Sequence, residues 1–270
     1  MSHFVNIGAM ENLAEIYGIH AGDGYLRNSG SRVELDISGS LEEEAYYIKR
    51  VIPLFFSCFG VKPKGRVFPS RNTYGFVIRD SGIVSFIHEL GFPYGRKASK
   101  LRAPKFVLES NDMGIISAFL RGVLDTDGCI SFDKRYSESY STFKRTYHTY
   151  PRLKLTTISK DFCNDLKTLL KRLEIREWTQ TYVPKAKNES TKYIIWIRGK
   201  EVKKWMELIG SGNPIKMSRF EIWKKCGFCP PKTTYKYRLK ILNNIKDPRL
   251  AYGPVAQLDR APDSPAMQAG

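Results

Sequence analysis

Two similar segments, 104 residues apart, constrain the fold of this chain more than any other feature of the sequence. Ile16 to Gly24 reads IYGIHAGDG and Leu120 to Gly128 reads LRGVLDTDG. Each is an apolar, helix-like run with a central glycine and an Asp-Gly ending. After each segment the apolar periodicity changes in the same order, and each copy as a whole reads helix, strand, strand, helix, strand, strand, helix. We therefore predict an α+β fold made of a tandem, pseudo-two-fold repeat, with four antiparallel strands in each unit.

The repeat also predicts how the chain is divided. The expected parts are a first repeat at 10–91, a linker at 92–110 that carries Lys97, a second repeat at 111–219, a basic C-terminal extension at 220–252 and a flexible tail at 253–270.

The charge balance points to a polyanionic partner. Lys and Arg number 44 against 27 acidic residues, which gives a formal net charge of +17 spread along the chain. Such an excess is typical of proteins that bind nucleic acid, and a basic surface that serves only solubility is the alternative.

Cellular location and cysteine chemistry follow from what the sequence contains. The longest apolar stretch, Val51 to Val61, is too short to cross a bilayer, so we expect a soluble, intracellular protein of a prokaryotic cytoplasm or an organelle. The five cysteines are irregularly spaced, which argues against a disulfide framework. Cys226 and Cys229 form a lone CxxC, for which reduced thiols are favoured over a zinc site.

The alternation within the strands predicts two sheets with one polar face each. In PRLKLTTIS, Leu153 and Leu155 alternate with Arg152 and Lys154. A basic, polar sheet face suits contacts to phosphates and base edges, although a merely solvated face is the alternative. The expected DNA-binding residues are Arg32, Glu34, Asp36, Arg71, Arg152, Lys154, Lys185, Lys187 and Arg198.

The two Asp-Gly helices have too many apolar positions for one buried stripe, so each is expected to pack on two sides. Gly18 and Gly122 occupy equivalent positions and would let the two helices approach closely. Parallel packing would then place Asp23 beside Asp127. Adjacent carboxylates favour a hard cation such as Mg²⁺, and basic surroundings indicate a phosphodiester substrate. Ordinary helix-ending turns, in which Asp and Gly are common, are the alternative.

At these residues the sequence resembles the LAGLIDADG homing endonucleases, over about 10–220. LRGVLDTDG is close to the signature of that family and IYGIHAGDG is looser. The resemblance implies that the signature helices form the interface between repeats and that two four-stranded sheets form a DNA-binding saddle. It assigns metal binding to Asp23 and Asp127, with the carbonyls of Gly22 and Thr126 as further ligands. Ala21 replaces the first acid of the signature, whereas Asp125 retains it.

The resemblance also implies a lysine after the third helix of each repeat, near the scissile phosphate. Lys97 and Lys216 fit this position, as catalytic residues or as plain phosphate contacts. His20, inside the first signature, is interpreted as a buried, hydrogen-bonded residue without a catalytic role.

The function implied by the resemblance is that of a monomeric, site-specific double-strand DNA endonuclease that leaves 3′ overhangs, with an intron-encoded origin favoured over an intein. It would use Mg²⁺, with Mn²⁺ able to substitute and Ca²⁺ supporting binding without cleavage, and it would recognise a long, asymmetric duplex. One alternative is an RNA maturase or a non-cleaving nucleic-acid-binding protein with the same fold. A second is an RNA-binding protein that recognises A-form shape, and preference for duplex DNA over structured RNA would exclude it.

Overall fold

The first repeat contains every predicted element in the predicted order. The computed structural model describes residues 7–133, 149–186 and 188–244. The first-repeat elements are α1 (Ile7–Asp23), β1 (Gly24–Asn28), β2 (Val33–Ser40), α2 (Glu44–Tyr46), α3 (Ile52–Phe59), β3 (Arg66–Phe68), β4 (Thr73–Ile78) and α4 (Ser81–Glu89).

The second repeat has the same order of elements, preceded by a short helix in the linker. The elements are α5 (Lys105–Leu108), α6 (Met113–Asp127), β5 (Cys129–Asp133), β6 (Tyr150–Thr157), α7 (Lys160–Arg172), β7 (Trp178–Tyr182), β8 (Lys192–Arg198) and α8 (Lys200–Leu208). Two more helices follow, α9 (Pro214–Cys226) and α10 (Tyr235–Asn244).

The strands form two four-stranded sheets with the same topology. Their orders are β1-β2-β4-β3 and β5-β6-β8-β7, so the fourth strand of each repeat lies inside its sheet and the third lies at the edge. The pairing is antiparallel, with Ile37 opposite Phe76 in the first sheet and Leu153 opposite Ile197 in the second. The predicted α+β class with two four-stranded antiparallel sheets is confirmed.

Each sheet buries one face. Leu35, Ile37 and Phe76 are fully buried in the first sheet, and Leu153 and Ile197 are fully buried in the second. In β6 these apolar residues alternate with the partly exposed Arg152 and Lys154, as the sequence predicts. The polar faces of both sheets therefore remain available for other contacts.

The helix predicted between Ser40 and Gly60 is not regular. It begins with a 3-10 turn, Leu41–Glu43, and contains a wide π-type turn, Tyr47–Val51, between α2 and α3. Pro53 lies in the first turn of α3 and has no N–H to donate to the preceding turn, which accounts for the loss of regular hydrogen bonding there. Gly60 ends the helix with a left-handed backbone at φ 67°.

The linker is attached to α7 by polar contacts. Arg102 donates two hydrogen bonds to Asp165, at 2.7 and 2.9 Å, and the Ala103 N–H donates a third at 2.9 Å. Arg172 donates to the carbonyls of Leu108 and Ser110. The segment that contains Lys97 is thus connected to the second repeat by defined bonds.

The chain forms two compact units. Among the described residues, 7–130, 152–186 and 188–216 make the first, which contains both Asp-Gly helices, and 131–133, 149–151 and 217–244 make the second. Within the second unit, Trp223 donates a hydrogen bond to the Thr149 carbonyl at 2.6 Å and stacks on Phe132. Cys226 and Cys229 are buried there as free thiols, and burial raises the pKa of Cys229 to about 12.

Across the residues that the structure describes, no helix is long and apolar enough to cross a membrane.

Candidate active site and nucleic-acid interface

Helices α1 and α6 pack in parallel, with Gly114 beside Glu11 toward their first ends and Gly22 beside Thr126 at their last turns. A Cβ on Gly18 would lie within 3.0 Å of the Phe119 carbonyl oxygen, and one on Gly122 would lie equally close to the Glu15 carbonyl oxygen. Neither side could move away, because both partners are helix backbone. The prediction that these glycines allow close helix contact is confirmed.

This packing brings the two Asp-Gly ends together. At Gly22, one residue before Asp23, an added Cβ would collide with the Thr126 side chain and lie 3.2 Å from the carboxylate carbon of Asp127. The last turn of α1 is therefore in contact with the last turn of α6, as parallel packing predicts.

Both terminal carboxyls have raised pKa values. For Asp23, burial is the largest cause, and the nearby charges of Glu43 and Asp127 add to it, so that the pKa reaches about 7 despite a hydrogen bond from Tyr47. For Asp127, desolvation raises the pKa while Lys97 and Lys216 oppose the rise. Part of the Asp127 residue is nevertheless exposed to solvent. Two acids so close favour binding of a proton or a cation.

Lys97 and Lys216 lie at equivalent places on the two helix ends. The Lys97 ammonium donates to the carbonyls of His20, Gly22 and Gly24, with the Gly22 contact at 3.0 Å. Lys216 donates to the carbonyls of Leu124 and Thr126 at 2.7 and 2.6 Å. Burial lowers the pKa of Lys97 to about 8 and lowers that of Lys216. Each lysine thus places a cation against carbonyls at a helix C-terminus.

Asp125, the first acid that the second signature retains, is held by hydrogen bonds within the chain. Asp125 is fully buried and accepts hydrogen bonds from the Ser211 hydroxyl and, at 2.7 Å, from the Gly212 N–H. Asn213 donates to the Asp125 carbonyl at 2.8 Å. Asp125 therefore fixes the loop that leads to Lys216.

The first signature lacks this arrangement because Ala21 replaces the acid. A cavity of about 250 Å³ adjoins Ala21 and is lined also by Val123, Phe162, Lys97 and Asp127. Lys97 is held instead by its three carbonyl contacts, and its loop is held by the Gly95 N–H, which donates to the Leu26 carbonyl at 2.8 Å. Lys97 and Lys216 thus occupy equivalent positions, but different hydrogen bonds hold the loops that carry them.

Tyr47 and Glu43 join the site from the irregular helix of the first repeat. The Tyr47 hydroxyl donates to Asp23 Oδ2 at 2.7 Å. Glu43 Oε1 accepts a hydrogen bond from Asn213 at 2.7 Å, and its pKa is raised, chiefly by burial. Sequence reasoning missed Tyr47, Glu43 and Asn213, because their relation to the Asp-Gly ends depends on how α1 and α6 pack.

The donors at this site fit a hard divalent cation. Asp23 and Asp127 supply carboxylate oxygens, and Gly22 and Thr126 supply backbone carbonyl oxygens, which is oxygen chemistry that Mg²⁺ prefers. The two carbonyls already accept from Lys97 and Lys216, and a carbonyl has two lone pairs. A metal ligand role for these four residues stays a prediction.

An ion triad around a buried glutamate connects the signature helices. Glu15 of α1 is fully buried and accepts from Arg50 at 2.7 and 2.5 Å and from Arg121 of α6 at 3.0 and 2.6 Å. Burial would raise the Glu15 pKa, but the hydrogen bonds from both arginines outweigh it and lower the pKa. The triad connects the two repeats and gives the buried carboxylate two cationic partners.

His20 is buried, as predicted, but the predicted hydrogen bond is wrong. Its ring packs edge-on against Phe92, at 4.4 Å between centroids, and neither ring nitrogen has a partner among the described residues. Burial, with Lys97 nearby, lowers its pKa well below the usual value, so the ring is neutral. The apolar ring of Phe92, which packs against the imidazole, offers it no hydrogen-bond acceptor.

On the polar face of the first sheet, arginines outnumber the acids with which they pair. Arg71 donates to Asp36 at 2.8 Å, and Arg32 donates to Glu34 at 2.9 Å. Arg27 and Arg79 are also within ion-pair distance of Glu34. The acids are nearly buried while the arginines remain about half exposed, so the guanidinium groups are fixed in place and reach solvent.

The polar face of the second sheet combines cations with tryptophans. Arg198 lies 4.6 Å from the Trp178 ring and Arg152 lies 4.7 Å from the Trp196 ring, with Lys154 at 5.9 Å from the same ring. Trp178 remains 50% exposed. Lys185 is exposed in the bend after β7, and Lys187 lies outside the described residues.

The second repeat and the fold as a whole resemble known proteins. Residues 114–210 match the LAGLIDADG-like domain family. The crystal structure of I-DmoI in complex with DNA and Mn is 15% identical, with a TM-score of 0.50 over 75% of this chain and 98% of that chain. A variant of I-DmoI in complex with its target DNA in the presence of Mg is also 15% identical, with a TM-score of 0.50 over 76% of this chain and 98% of that chain.

A third structure, the homing endonuclease I-WcaI bound to its DNA recognition sequence, is 16% identical, with a TM-score of 0.42 over 77% of this chain and 83% of that chain. At such identities the likeness concerns the fold. Residues 114–210 thus match the LAGLIDADG-like domain family, and the two sheets of equal topology share the fold of the I-DmoI structure.

Proposed function

We propose that the protein is a site-specific, metal-dependent endonuclease that cuts both strands of duplex DNA. The observation that carries this proposal is the convergence of Asp23 and Asp127 at touching helix ends, each beside an equivalently placed lysine. Carboxylates, lysines and two basic sheet faces in one chain fit hydrolysis of a phosphodiester and fit few other reactions.

Asp23 and Asp127, with the carbonyls of Gly22 and Thr126, would hold the metal. When bound, Mg²⁺ supplies Lewis-acid polarisation of the phosphate and a more acidic water. The chain supplies the carboxylates already in place, because α1 and α6 are fixed by Gly18, Gly122 and the Glu15 triad. Burial raises the pKa of both carboxyls, and Glu43 and Asp127 also repel Asp23, so a metal ion would stabilise charges that the metal-free fold disfavours.

Lys97 and Lys216 would contribute positive charge beside the reacting phosphate. The pKa of Lys97 is lowered to about 8. A further fall to below neutral pH would leave a neutral amine, which accepts a proton from water. A charged ammonium would instead stabilise the negative charge that develops at phosphorus. In either role the lysine is oriented by backbone carbonyls.

The sheet faces would bind the duplex, and their difference supports an asymmetric target. Arginines fixed by Glu34 and Asp36 suit readout of guanine edges, whereas cations over Trp178 and Trp196 suit phosphate contact beside a rigid apolar surface. I-DmoI, which has this fold, was crystallised with DNA and Mn and, as a variant, with target DNA and Mg. We extend DNA binding and divalent-metal use to this chain by that likeness.

Further properties are proposed from the resemblance and from the presence of two repeats within one chain. They are a monomer, a long asymmetric site, 3′ overhangs, an intron-encoded origin, Mn²⁺ as a substitute for Mg²⁺, and binding without cleavage in Ca²⁺.

Sequencing the DNA ends released from a large random duplex library tests the function. With Mg²⁺ we expect discrete ends that share one long, asymmetric motif, and with Ca²⁺ we expect retained, uncut DNA. Uncut DNA with both ions would contradict the endonuclease and favour the binding protein or maturase. A competition between duplex DNA and structured RNA would then decide between these two.

A further inference from the structure

We propose that Tyr47 is a positioning residue for Asp23, and that the two DNA strands therefore depend on it unequally. The inference rests on the proposed endonuclease function. It deepens that function, because it predicts that loss of one hydroxyl group slows cleavage of one strand more than cleavage of the other. It concerns a residue of the irregular helix between β2 and α3, outside the signature segments.

Ring contacts and one hydrogen bond hold Tyr47 in position. Its side chain is fully buried, and its ring packs edge-on against Tyr46 and Tyr74, at 5.9 and 6.1 Å between centroids. The hydroxyl donates to Asp23 Oδ2 at 2.7 Å. A hydrogen bond of this length to a carboxylate is charge-assisted and directional, so it limits the rotation of the Asp23 carboxylate.

The β2 backbone closes the other side of the same carboxylate. A Cβ on Gly39 would lie 2.6 Å from Asp23 Oδ2, 2.9 Å from the Tyr47 hydroxyl and 3.2 Å from Glu43 Oε2. Glycine at this position is what lets the three oxygens gather there. Asp23 is therefore presented to a substrate in one orientation, set by a tyrosine that does not itself reach the surface.

Asp127 is held differently. Its carboxylate accepts no hydrogen bond from any part of the chain at 7–133, 149–186 or 188–244, and the residue is exposed. Lys97 and Lys216 act on it only through their charges. The orientation of Asp127 thus depends on α6 and on what binds there, whereas that of Asp23 depends on Tyr47.

Cleavage of the two strands should reflect this difference. The two acids end different helices in a pseudo-two-fold arrangement, so we expect each to serve the phosphate of a different strand. If Tyr47 loses its hydroxyl, Asp23 can rotate and the strand that it serves is cut more slowly, by about tenfold for one lost charge-assisted hydrogen bond. The strand served by Asp127 keeps its rate, and nicked DNA accumulates.

Tyr46 provides a matched control. It precedes Tyr47, is equally buried, and its hydroxyl has no hydrogen-bond partner among the described residues. Tyr46→Phe and Tyr47→Phe therefore remove the same atom from adjacent buried rings, and only the second removes a contact to Asp23. Both keep the ring that fills the core, and thermal unfolding of both variants would verify that they fold.

The test is a single-turnover cleavage of the target duplex with each strand labelled separately, for the wild type, Tyr46→Phe and Tyr47→Phe. We expect Tyr47→Phe to slow one strand about tenfold and leave the other within about twofold, while Tyr46→Phe matches the wild type. Equal slowing of both strands, or no slowing of either, would overturn the positioning role. A wild-type protein that cuts neither strand would instead contradict the proposed function, and with it this inference.

Discussion

The Cα of Gly122 lies 3.0 Å from the position that a Cβ on Gly18 would occupy. Such a distance leaves no room for a methyl group, and the neighbouring atoms are helix backbone that cannot rotate away. We expect Gly18→Ala and Gly122→Ala each to lower the free energy of unfolding by about 3 kcal/mol or more, despite the better helix propensity of alanine. Chemical denaturation of the purified variants measures this.

Gly82 offers the control for these substitutions. It lies exposed in the first turn of α4, and an added Cβ would meet only Asp80 Oδ1, at 3.2 Å. Gly82→Ala is expected to change the stability by less than about 1 kcal/mol, in the stabilising direction. Equal losses of stability in Gly18→Ala and Gly82→Ala would mean that contact between α1 and α6 is not the reason for the glycine in α1.

The lysines at the helix ends give a second prediction. Lys97→Met and Lys216→Met remove a charge from the site and keep most of the side-chain volume. We expect each to lower the cleavage rate by about a hundredfold or more and to change DNA affinity, measured in Ca²⁺, by only a few-fold. Lys100→Met changes an exposed residue three positions from Lys97 and should leave the cleavage rate unchanged. Matching losses of rate and affinity would make the lysines phosphate contacts only.

Much of the fold is predictable here because the chain carries it twice. Each copy helps to interpret the other, so a short strand such as β3 is recognisable from its place in the repeat although its three residues carry little periodicity of their own. The close contact at Gly18 and Gly122 was predictable for the same reason. The 3-10 and π-type turns between β2 and α3 were not, because the apolar pattern there is that of an ordinary helix.

The site was predictable where it lies on the repeated segments and not elsewhere. Asp23, Asp127, Lys97 and Lys216 occupy equivalent positions in the two copies, so they stand out in the sequence. Tyr47, Glu43 and Asn213 are not among the residues that recur in both copies. Only the packing of the chain brings them to Asp23 and Asp125. The asymmetry between Ala21 and Asp125 was visible, but its result, a loop fixed by Ser211 and Gly212, required the structure.

The raised pKa of Asp23 predicts how its substitution changes with pH. An acid with a pKa of about 7 in the folded protein, against 3.8 for an unperturbed aspartate, destabilises the metal-free fold once it ionises. Asp23→Asn removes this charge and keeps an acceptor for Tyr47. We expect the variant to be as stable as the wild type near pH 4 and more stable above pH 7, by an amount on the order of 2 kcal/mol.

Proton binding determines the sign of this effect. Between pH 4 and 7 the folded wild type binds more protons at Asp23 than the unfolded chain, so its stability falls relative to the variant as the pH rises. Urea unfolding at pH 5 and pH 8 without divalent metal measures the difference, and saturating Mg²⁺ at pH 8 should reduce it. A difference that does not grow with pH would mean that Asp23 ionises normally.

The two sheet faces predict different responses to salt. Lys154→Gln should weaken DNA binding for all sequences and reduce the slope of log affinity against log salt by about one, because one phosphate contact is lost. Glu34→Gln should alter sequence preference in the half-site of the first repeat, since it releases the arginines that Glu34 orients. Titrations at several salt concentrations, with matched and mismatched duplexes, distinguish these effects. Identical responses would contradict separate roles for the two faces.

The most direct test of the central claim is to measure cleavage and binding of one recovered target site by the wild type, Asp23→Asn and Asp127→Asn. We predict that the wild type cuts both strands in Mg²⁺, that neither variant makes a double-strand cut, and that all three bind the duplex with similar affinity in Ca²⁺, because the carboxylates serve the metal and the sheets serve the DNA. Normal double-strand cleavage by either variant would contradict this assignment.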